Sequence, residues 1–303
     1  MIVITAPTVA GGRFVQPTIP DDVARDHRKH VRDLWTDAPI VKVSDTEEAI
    51  TFMRISGNTI LITGGTSGIG RALAEKFHAR GNRVIISGRR KCLLDEITSA
   101  HPGMQSIEAD LQDVQSVEAL AKLVQDRHPE LNLLVNNAGI SRQEELGTDP
   151  WDFTVAESII RINILSVIQL TALLLPTLRR APNAAIVTTS SGLAFVPRAN
   201  FPTYCASKAF IHSWIQSLRV QLKQTGIEVL ELVPPYVQTE LAGPEQANDP
   251  AAMPLADYVA EVMRLLEGDW LIHGEILVQR VEVLRWADRN GNYRRMFAAL
   301  NEH

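Results

Sequence analysis

The chain has 303 residues, of which 45% are hydrophobic and 21% are charged, and its formal net charge at pH 7 is -5. This composition is typical of a globular protein with a sizeable core, and the acidic balance argues against nucleic acid or an anionic membrane as a partner. Its two cysteines, Cys92 and Cys205, are too few for a disulfide scaffold or a cysteine metal site, so we expect a reducing, cytoplasmic setting.

The first 52 residues carry no clear structural pattern. Their apolar start has neither a basic region before it nor a cleavage site after it, so we do not expect a secretory signal. Charged residues cluster at 21–32 and indicate a solvated helix or a disordered arm. Since Met53 lies just before the first predicted strand, we interpret residues 1–52 as an appendage or an upstream start-codon extension, and residues 53–303 as the functional domain.

From Thr59 the chain alternates between short apolar runs and amphipathic stretches. Predicted strands cover residues 59–62, 83–87, 104–109, 132–135, 184–189, 227–233 and 275–278. Apolar residues at helical spacing predict helices near 69–77, 114–124, 155–178, 203–224, 255–266 and 281–300. This alternation predicts an α/β fold of the Rossmann type, with a doubly wound, parallel, seven-stranded sheet and helices on both faces. Residues 234–254, rich in proline and alanine, interrupt it and are a candidate mobile lid.

The predicted helix at 155–178 is apolar nearly all round. Its stretch 162–178 could be mistaken for a membrane span, but Asn163, Gln169 and Pro176 within it favour a helix buried by protein. A helix that is apolar on two sides must be covered on both. We therefore expect one side to face the sheet and the other to face a second subunit.

Three glycines, Gly64, Gly68 and Gly70, follow the first strand and precede the first helix. A tight glycine turn lets the backbone approach a pyrophosphate, and the start of a helix offers free N–H groups and a positive dipole end. The strand, turn and helix together predict a nucleotide-phosphate site. A plain strand-to-helix turn is the alternative.

Tyr204 and Lys208 are four residues apart, which on a helix places both side chains on one face. Because an ammonium group favours a nearby phenolate, Lys208 is expected to lower the pKa of Tyr204 and suit it to proton transfer. A surface Tyr–Lys pair is the alternative. Ser191 ends the fifth predicted strand, at the sheet edge where the glycine turn also lies, and could otherwise be a turn residue.

Together these residues resemble the classical short-chain dehydrogenase/reductase family. The family's Thr-Gly-x-x-x-Gly-x-Gly motif is matched at 63–70, its Asn-Asn-Ala-Gly at 136–139 and its Tyr-x-x-x-Lys at 204–208. Its catalytic serine and its helix asparagine match Ser191 and Asn163. The short-chain dehydrogenase/reductase family usually has Pro-Gly where this chain has Pro234-Pro235. The run Pro-Pro-Tyr-Val-Gln-Thr-Glu-Leu at 234–241 is most like the bacterial DltE-like branch of that family. Proline removes a backbone donor there and changes the local backbone.

The resemblance implies a role for each matched residue. Tyr204 would exchange the substrate proton, Lys208 would hold the nicotinamide ribose, and Ser191 would bind the reacting oxygen. Asn163 would anchor a water in the proton relay; a satisfied polar group in a buried helix is the alternative. The implied cofactor-binding residues are Gly64, Thr66, Ser67, Gly68, Ile69, Gly70, Arg89, Arg90, Asp110, Leu111, Asn137, Ala138, Gly139, Tyr204, Lys208, Pro234, Val237 and Thr239. Of these, Val237 and Thr239 match positions that bind the nicotinamide carboxamide. No spacing indicates a metal site, and His212 is interpreted as a solvated or core histidine.

The choice of cofactor can be argued from charge. An NAD site places a carboxylate about 20 residues past the glycine turn to accept from the ribose 2′-hydroxyl. This chain has Arg89 there, and no acidic residue lies at 83–91. Because a guanidinium can pair with a 2′-phosphate, NADP(H) is favoured over NAD(H). The alternative is that Arg89 and Arg90 are solvated residues at the start of the next helix.

The sequence thus predicts an NADP(H)-dependent oxidoreductase that transfers a hydride between the nicotinamide and a small carbonyl or alcohol substrate, assembled as a homodimer or homotetramer. Two other classes stay open. One is a cofactor-independent esterase that uses Ser191, Tyr204 and Lys208. The other is a non-catalytic, NADPH-binding sensor.

Overall fold

A parallel sheet of seven strands organises the part of the chain that this computed structural model describes, residues 53–147, 150–268 and 273–302. The strands are β1 (Thr59–Thr63), β2 (Arg83–Gly88), β3 (Gln105–Glu108), β4 (Leu133–Asn136), β5 (Ala185–Thr189), β6 (Glu228–Val233) and β7 (Glu275–Leu277). Their spatial order is β3-β2-β1-β4-β5-β6-β7, and all neighbouring pairs are parallel. The predicted fold class is confirmed.

Helices connect the strands. They are α1 (Gly68–Ala79), α2 (Lys91–Ala100), α3 (Val114–Arg127), α4 (Phe153–Ile160), α5 (Ser166–Leu178), α6 (Pro202–Leu222), α7 (Leu255–Glu267), α8 (Glu282–Arg285) and α9 (Tyr293–Asn301). Successive side chains of a strand point to opposite faces, so Ile60 and Ile62 of β1 lie in one apolar core and Leu61 lies in the other. A core on each face explains why the strands are apolar without alternation.

The predicted long helix is present as α4, a π-helical turn at Arg161–Leu165, and α5. The whole stretch Phe153–Leu178 is long and apolar enough to cross a membrane, but half of its most apolar window is buried, in a helix packed against α3 and α6. This packing agrees with the prediction of a helix covered by protein. Ile160 and Leu165 stay 38% and 42% exposed.

Three asparagines tie the amino ends of the strands together. Asn132, which is 8% exposed, accepts a hydrogen bond from the backbone N–H of Thr59 at 2.9 Å. Its amide nitrogen donates to Asn58 Oδ1 at 2.9 Å, and Asn58 donates to Asn82 Oδ1 at 3.0 Å. This network lies at the opposite end of the sheet from the predicted site.

Two predictions need comment. The predicted terminal helix at 281–300 is wrong as a continuous element, because the turn residues Asn290-Gly291-Asn292 separate α8 from α9 and Gly291 has φ +67°, outside the helical region. The interpretation of residues 1–52 as an appendage falls outside the described residues and stays a prediction.

Candidate active site

A cavity of about 380 Å³ opens at the carboxyl ends of the strands. Of the predicted site residues, all but Gly70 and Asn163 line it: Gly64, Thr66, Ser67, Gly68, Ile69, Arg89, Arg90, Asp110, Leu111, Asn137, Ala138, Gly139, Ser191, Tyr204, Lys208, Pro234, Val237 and Thr239. The tertiary fold therefore brings together segments that are up to 175 residues apart, from Gly64 to Thr239. Gly70 packs against Gly64, and Asn163 hydrogen-bonds Ile140, so each contacts a residue that lines the cavity.

The glycine turn is built for close backbone approach. Gly64 and Gly68 have φ of +69° and +53°, which other residues adopt with strain. A Cβ on Gly70 would lie 2.4 Å from Gly64 O, so only glycine fits there. Thr63, which the motif contains but the predicted binding residues did not include, accepts from the backbone N–H groups of Asn137 and Ala138 at 3.0 and 3.1 Å. Its hydroxyl thereby joins the turn to the end of β4.

The start of α1 fits an anionic group. Ser67 is the N-cap and makes no side-chain capping bond, and the first turn of the helix holds no acidic residue. The free N–H groups and the positive end of the helix dipole therefore face the cavity without a competing protein anion. Together with the glycines, this arrangement suits the pyrophosphate of a dinucleotide.

Two arginines stand beside the turn. Arg90 donates to Thr66 Oγ1 at 2.9 Å and to Ser67 Oγ at 2.8 Å. Arg89, the residue that the sequence singled out, is exposed and lines the same cavity. Asp110 lines it too, but it follows β3 rather than β2. The end of β2 therefore carries two guanidinium groups and no carboxylate.

Tyr204, Ser191 and Lys208 meet at the other side of the cavity. Both Tyr204 and Lys208 belong to α6, and Lys208 Nζ lies 5.8 Å from the centre of the Tyr204 ring. Ser191, two residues after the end of β5, forms a hydrogen bond with the Tyr204 side chain. All three residues are less than 8% exposed. The predicted triad is therefore in place as a cluster.

The pKa values of this cluster differ from the expectation. Burial raises the pKa of Tyr204 to about 12, with a smaller opposing effect from the Ser191 hydrogen bond. Burial also lowers the pKa of Lys208 to about 8, against the attraction of Glu231. The predicted lowering of the Tyr204 pKa by Lys208 is not seen, because desolvation penalises both charged forms. The Lys208 ammonium donates to the Thr189 carbonyl at 2.8 Å instead.

Asn163 lies in the π-helical turn and is 1% exposed. It accepts from Ile140 N at 2.9 Å and donates to Ile140 O and to Ser207 Oγ, both at 3.0 Å. A Cβ on Gly139 would lie 3.3 Å from Asn163 Oδ1 and 3.5 Å from Lys208 Nζ. Asn163 therefore holds the segment after β4 against the helix that carries Lys208, and π turns of this kind occur often at functional sites.

Glu144 is a site residue that sequence reasoning missed. Helix α6 has no capping side chain of its own, because its N-cap is Phe201. The Glu144 carboxylate is 7% exposed and accepts from Thr203 N at 3.0 Å and from Thr203 Oγ1 at 2.8 Å. It thus caps the helix one residue before Tyr204, where a negative charge is favourable. No local signal predicts this contact, which spans 59 residues.

His212 is a half-buried histidine with protein partners at both ring nitrogens. Its Nδ1 lies 2.8 Å from Glu231 Oε2, and its Nε2 lies 2.6 Å from the Gln216 amide. Glu231 is fully buried and pairs in register with Glu275 on β7. Arg285 donates to both carboxylate oxygens of Glu275, at 2.5 and 2.8 Å. Each carboxylate thus has a protein partner, and the Arg285–Glu275 contact is an ion pair.

Comparisons with known proteins agree with this geometry. A family model described as short chain dehydrogenase matches residues 58–250. The chain is 39% identical over 251 residues to a Bacillus subtilis (strain 168) protein named uncharacterized oxidoreductase DltE. The aligned residues cover 82% of this chain and 98% of that relative.

Solved structures give the same picture. A short-chain dehydrogenase from Sphingobium yanoikuyae in complex with NADPH is 25% identical, with a TM-score of 0.67 over 80% of this chain and 95% of that chain. A 3-ketoacyl-(acyl-carrier-protein) reductase from Brucella melitensis complexed with NADH is 24% identical, with a TM-score of 0.64 over 73% and 96%, and shares the fold.

Proposed function

Because the chain belongs to the short-chain dehydrogenase family of NAD(P)-dependent oxidoreductases, we propose that it transfers a hydride between NADP(H) and a small carbonyl or alcohol substrate, with Tyr204 as acid and base. The observation that carries this proposal is the continuous cavity. It runs from the two arginines at the end of β2, past the glycine turn, to Ser191, Tyr204 and Lys208. When bound, the nicotinamide supplies or accepts the hydride.

Ser191, Tyr204 and Lys208 each have a separate role in the proposed reaction. Ser191 hydrogen-bonds the reacting oxygen of the substrate and keeps it beside the Tyr204 hydroxyl. With its pKa raised to about 12 by burial, Tyr204 carries its proton at neutral pH. Carbonyl reduction requires this protonated form, and alcohol oxidation requires the phenolate. Lys208 holds the ribose next to the nicotinamide.

The preference for NADP(H) over NAD(H) is supported by charge. Arg90 is held by the hydroxyls of Thr66 and Ser67, and Arg89 lies beside it at the same end of the cavity. A 2′-phosphate can take charge-assisted hydrogen bonds from both guanidinium groups. A bare 2′-hydroxyl lacks a carboxylate partner at this position.

Titration with NADPH and NADH, followed by cofactor fluorescence, tests the cofactor. Each hydrogen bond to a charged group contributes about 1.5–3 kcal/mol, so Arg90→Ala should weaken NADPH binding by about 10- to 100-fold and leave NADH binding unchanged. Arg89→Ala should act in the same direction. Arg295→Ala, which changes an exposed arginine of α9 outside the cavity, is the matched control. Equal affinity of the wild type for both cofactors would overturn the preference.

Turnover tests the chemistry. Tyr204→Phe removes the proton donor and should lower the reduction rate by about 10²- to 10⁴-fold across a panel of aldehydes and ketones, with NADPH binding retained. Hydrolysis of an activated ester without cofactor, lost in Ser191→Ala, would support the esterase alternative instead.

We further propose that the assembly is a homodimer or homotetramer formed through the long helix. Its outer side carries Ile160 and Leu165, and the adjacent helix α6 exposes Phe210 and Val220. A second copy would bury this apolar surface, which stays open on one subunit. Light scattering at micromolar concentration should show the oligomer for the wild type and a smaller species for Leu165→Lys. A monodisperse wild-type monomer would contradict the proposal.

A further inference from the structure

The segment between β6 and α7 forms one wall of the cavity, and two backbone hydrogen bonds join its beginning to Met253 near its end. Gln238 N donates to Met253 O at 2.9 Å, and Met253 N donates to Tyr236 O at 2.8 Å. Between these anchors the segment returns through a short 3-10 turn, Pro244–Asn248. Val237 and Thr239, which the family resemblance assigns to the nicotinamide carboxamide, lie on its first limb.

Gln246 connects the turn to that first limb. Its side chain is 8% exposed and uses both ends of its amide. The oxygen accepts from Ala242 N at 2.9 Å. The nitrogen donates to Val237 O at 2.7 Å and to Thr239 Oγ1 at 3.2 Å. At this buried position the side chain must donate two hydrogen bonds and accept one, and only an amide does both.

These contacts fix the direction of the Thr239 hydroxyl. Its oxygen accepts from Gln246 Nε2 and, at 3.4 Å, from Leu241 N. The hydroxyl keeps its own proton as a donor for a bound ligand, and Thr239 lines the cavity. The methyl group of Thr239 lies against the glycine turn, at 3.3 Å from where a Cβ of Gly68 would stand. Gln246 thus holds Thr239 between the turn and the cavity.

We propose that Gln246 is a positioning residue for the nicotinamide half of the dinucleotide, acting through Thr239 and Val237. The inference rests on the proposed function, and it assigns a role to a segment in which the sequence showed only a candidate lid. Within the described residues, the Gln246 side chain hydrogen-bonds Ala242, Val237 and Thr239, and none of the residues at the arginine end of the cavity. Its loss should therefore weaken binding of the nicotinamide half alone.

The test compares two nucleotides on the full chain. NADPH reaches the whole cavity, whereas 2′,5′-ADP carries only the adenine half with its 2′-phosphate. Gln246→Glu keeps the shape and, as the carboxylate, accepts from Ala242 N but donates no hydrogen bond, and Gln246→Leu removes both functions. Asn248→Ala, which changes an exposed amide of the same turn, is the matched control. Affinities come from fluorescence and calorimetric titration, and thermal melting checks that each variant is folded.

We expect Gln246→Glu and Gln246→Leu to raise the Kd for NADPH by about tenfold, the effect of one hydrogen bond, and to leave the Kd for 2′,5′-ADP within about twofold. The control should change neither. Parallel weakening of both nucleotides would show a general collapse of the wall and overturn the inference, as would unchanged NADPH binding in Gln246→Glu. A wild type that binds neither nucleotide would refute the proposed function itself, and the inference with it.

Discussion

Replacing Lys208 by methionine should stabilise the ligand-free protein while it removes activity. Lys208 is 5% exposed, and burial lowers its pKa from 10.5 to about 8. Holding the ammonium charged in the folded protein at pH 7 therefore costs about 3 kcal/mol, at about 1.4 kcal/mol for each pKa unit. Methionine avoids that cost and loses the hydrogen bond from the ammonium to Thr189 O, which contributes about 1.5 kcal/mol for a charged donor. The net gain in the free energy of unfolding is about 1.5–2 kcal/mol.

The pH dependence identifies the cause. A lysine whose folded pKa is depressed binds fewer protons in the folded state than in the unfolded state between its two pKa values, so wild-type stability rises with pH over that window. At pH 10 Lys208 is neutral in the folded protein, and its burial costs about 0.8 kcal/mol. This cost is close to the free energy of about 1 kcal/mol that a hydrogen bond from the neutral amine contributes. The advantage of the variant should therefore be full below pH 8 and nearly absent at pH 10.

Urea unfolding of the wild type and Lys208→Met at pH 7 and pH 10, without cofactor, measures this difference. At pH 7 the free energy of unfolding from urea should rise by about 1.5–2 kcal/mol, and a parallel thermal melt should shift upward by about 3–8 °C. Lys122→Met is the control, because the Lys122 side chain is 75% exposed and its change should have little effect at either pH. A variant that is no more stable than the wild type at pH 7, or equally stabilised at pH 10, would refute the reasoning.

Three further substitutions probe the scaffold. Gly70→Ala places a Cβ 2.4 Å from Gly64 O and should abolish NADPH binding, whereas Gly147→Ala, with open space around its Cβ, should not. Asn132→Ala leaves a buried backbone N–H and an amide oxygen without partners, so urea unfolding should show a loss of about 2–4 kcal/mol. Glu144→Ala removes the cap of α6 and should cost about 1–2 kcal/mol in unfolding experiments. The same variant should lower the turnover number more than it weakens NADPH binding, and unchanged turnover would contradict a role in placing the catalytic helix.

Much of this molecule follows from local patterns. The apolar runs and helical spacing define the seven strands and their connections, because burial on both faces of a sheet leaves a continuous apolar signal. The glycine turn and the Tyr204–Lys208 pair are also local. Their geometry is set within a turn or two of chain, so their presence at one edge of the sheet could be predicted from the order of strands and helices.

Other features depend on contacts that have no local signature. Gln246 meets Thr239 within an irregular segment, and His212 meets Glu231 across the helix and sheet. Neither follows from periodicity, because periodicity reports which face is buried and says nothing of a polar partner. The prediction of one continuous terminal helix was wrong for a related reason, because the spacing of apolar residues did not reveal the turn before α9.

The sequence by itself determined the fold class and the chemical types at the site, since both rest on residue identity at short spacings. The tertiary structure alone decided the protonation of the site. Lys208 lies on the same helix face as Tyr204, as the spacing predicted, yet the pKa of Tyr204 is raised to about 12. The pKa of a buried group depends on all the atoms that replace water around it. That surrounding is assembled from β5, β6 and the segments after β4, far apart in the chain, and it exists only once the sheet has formed.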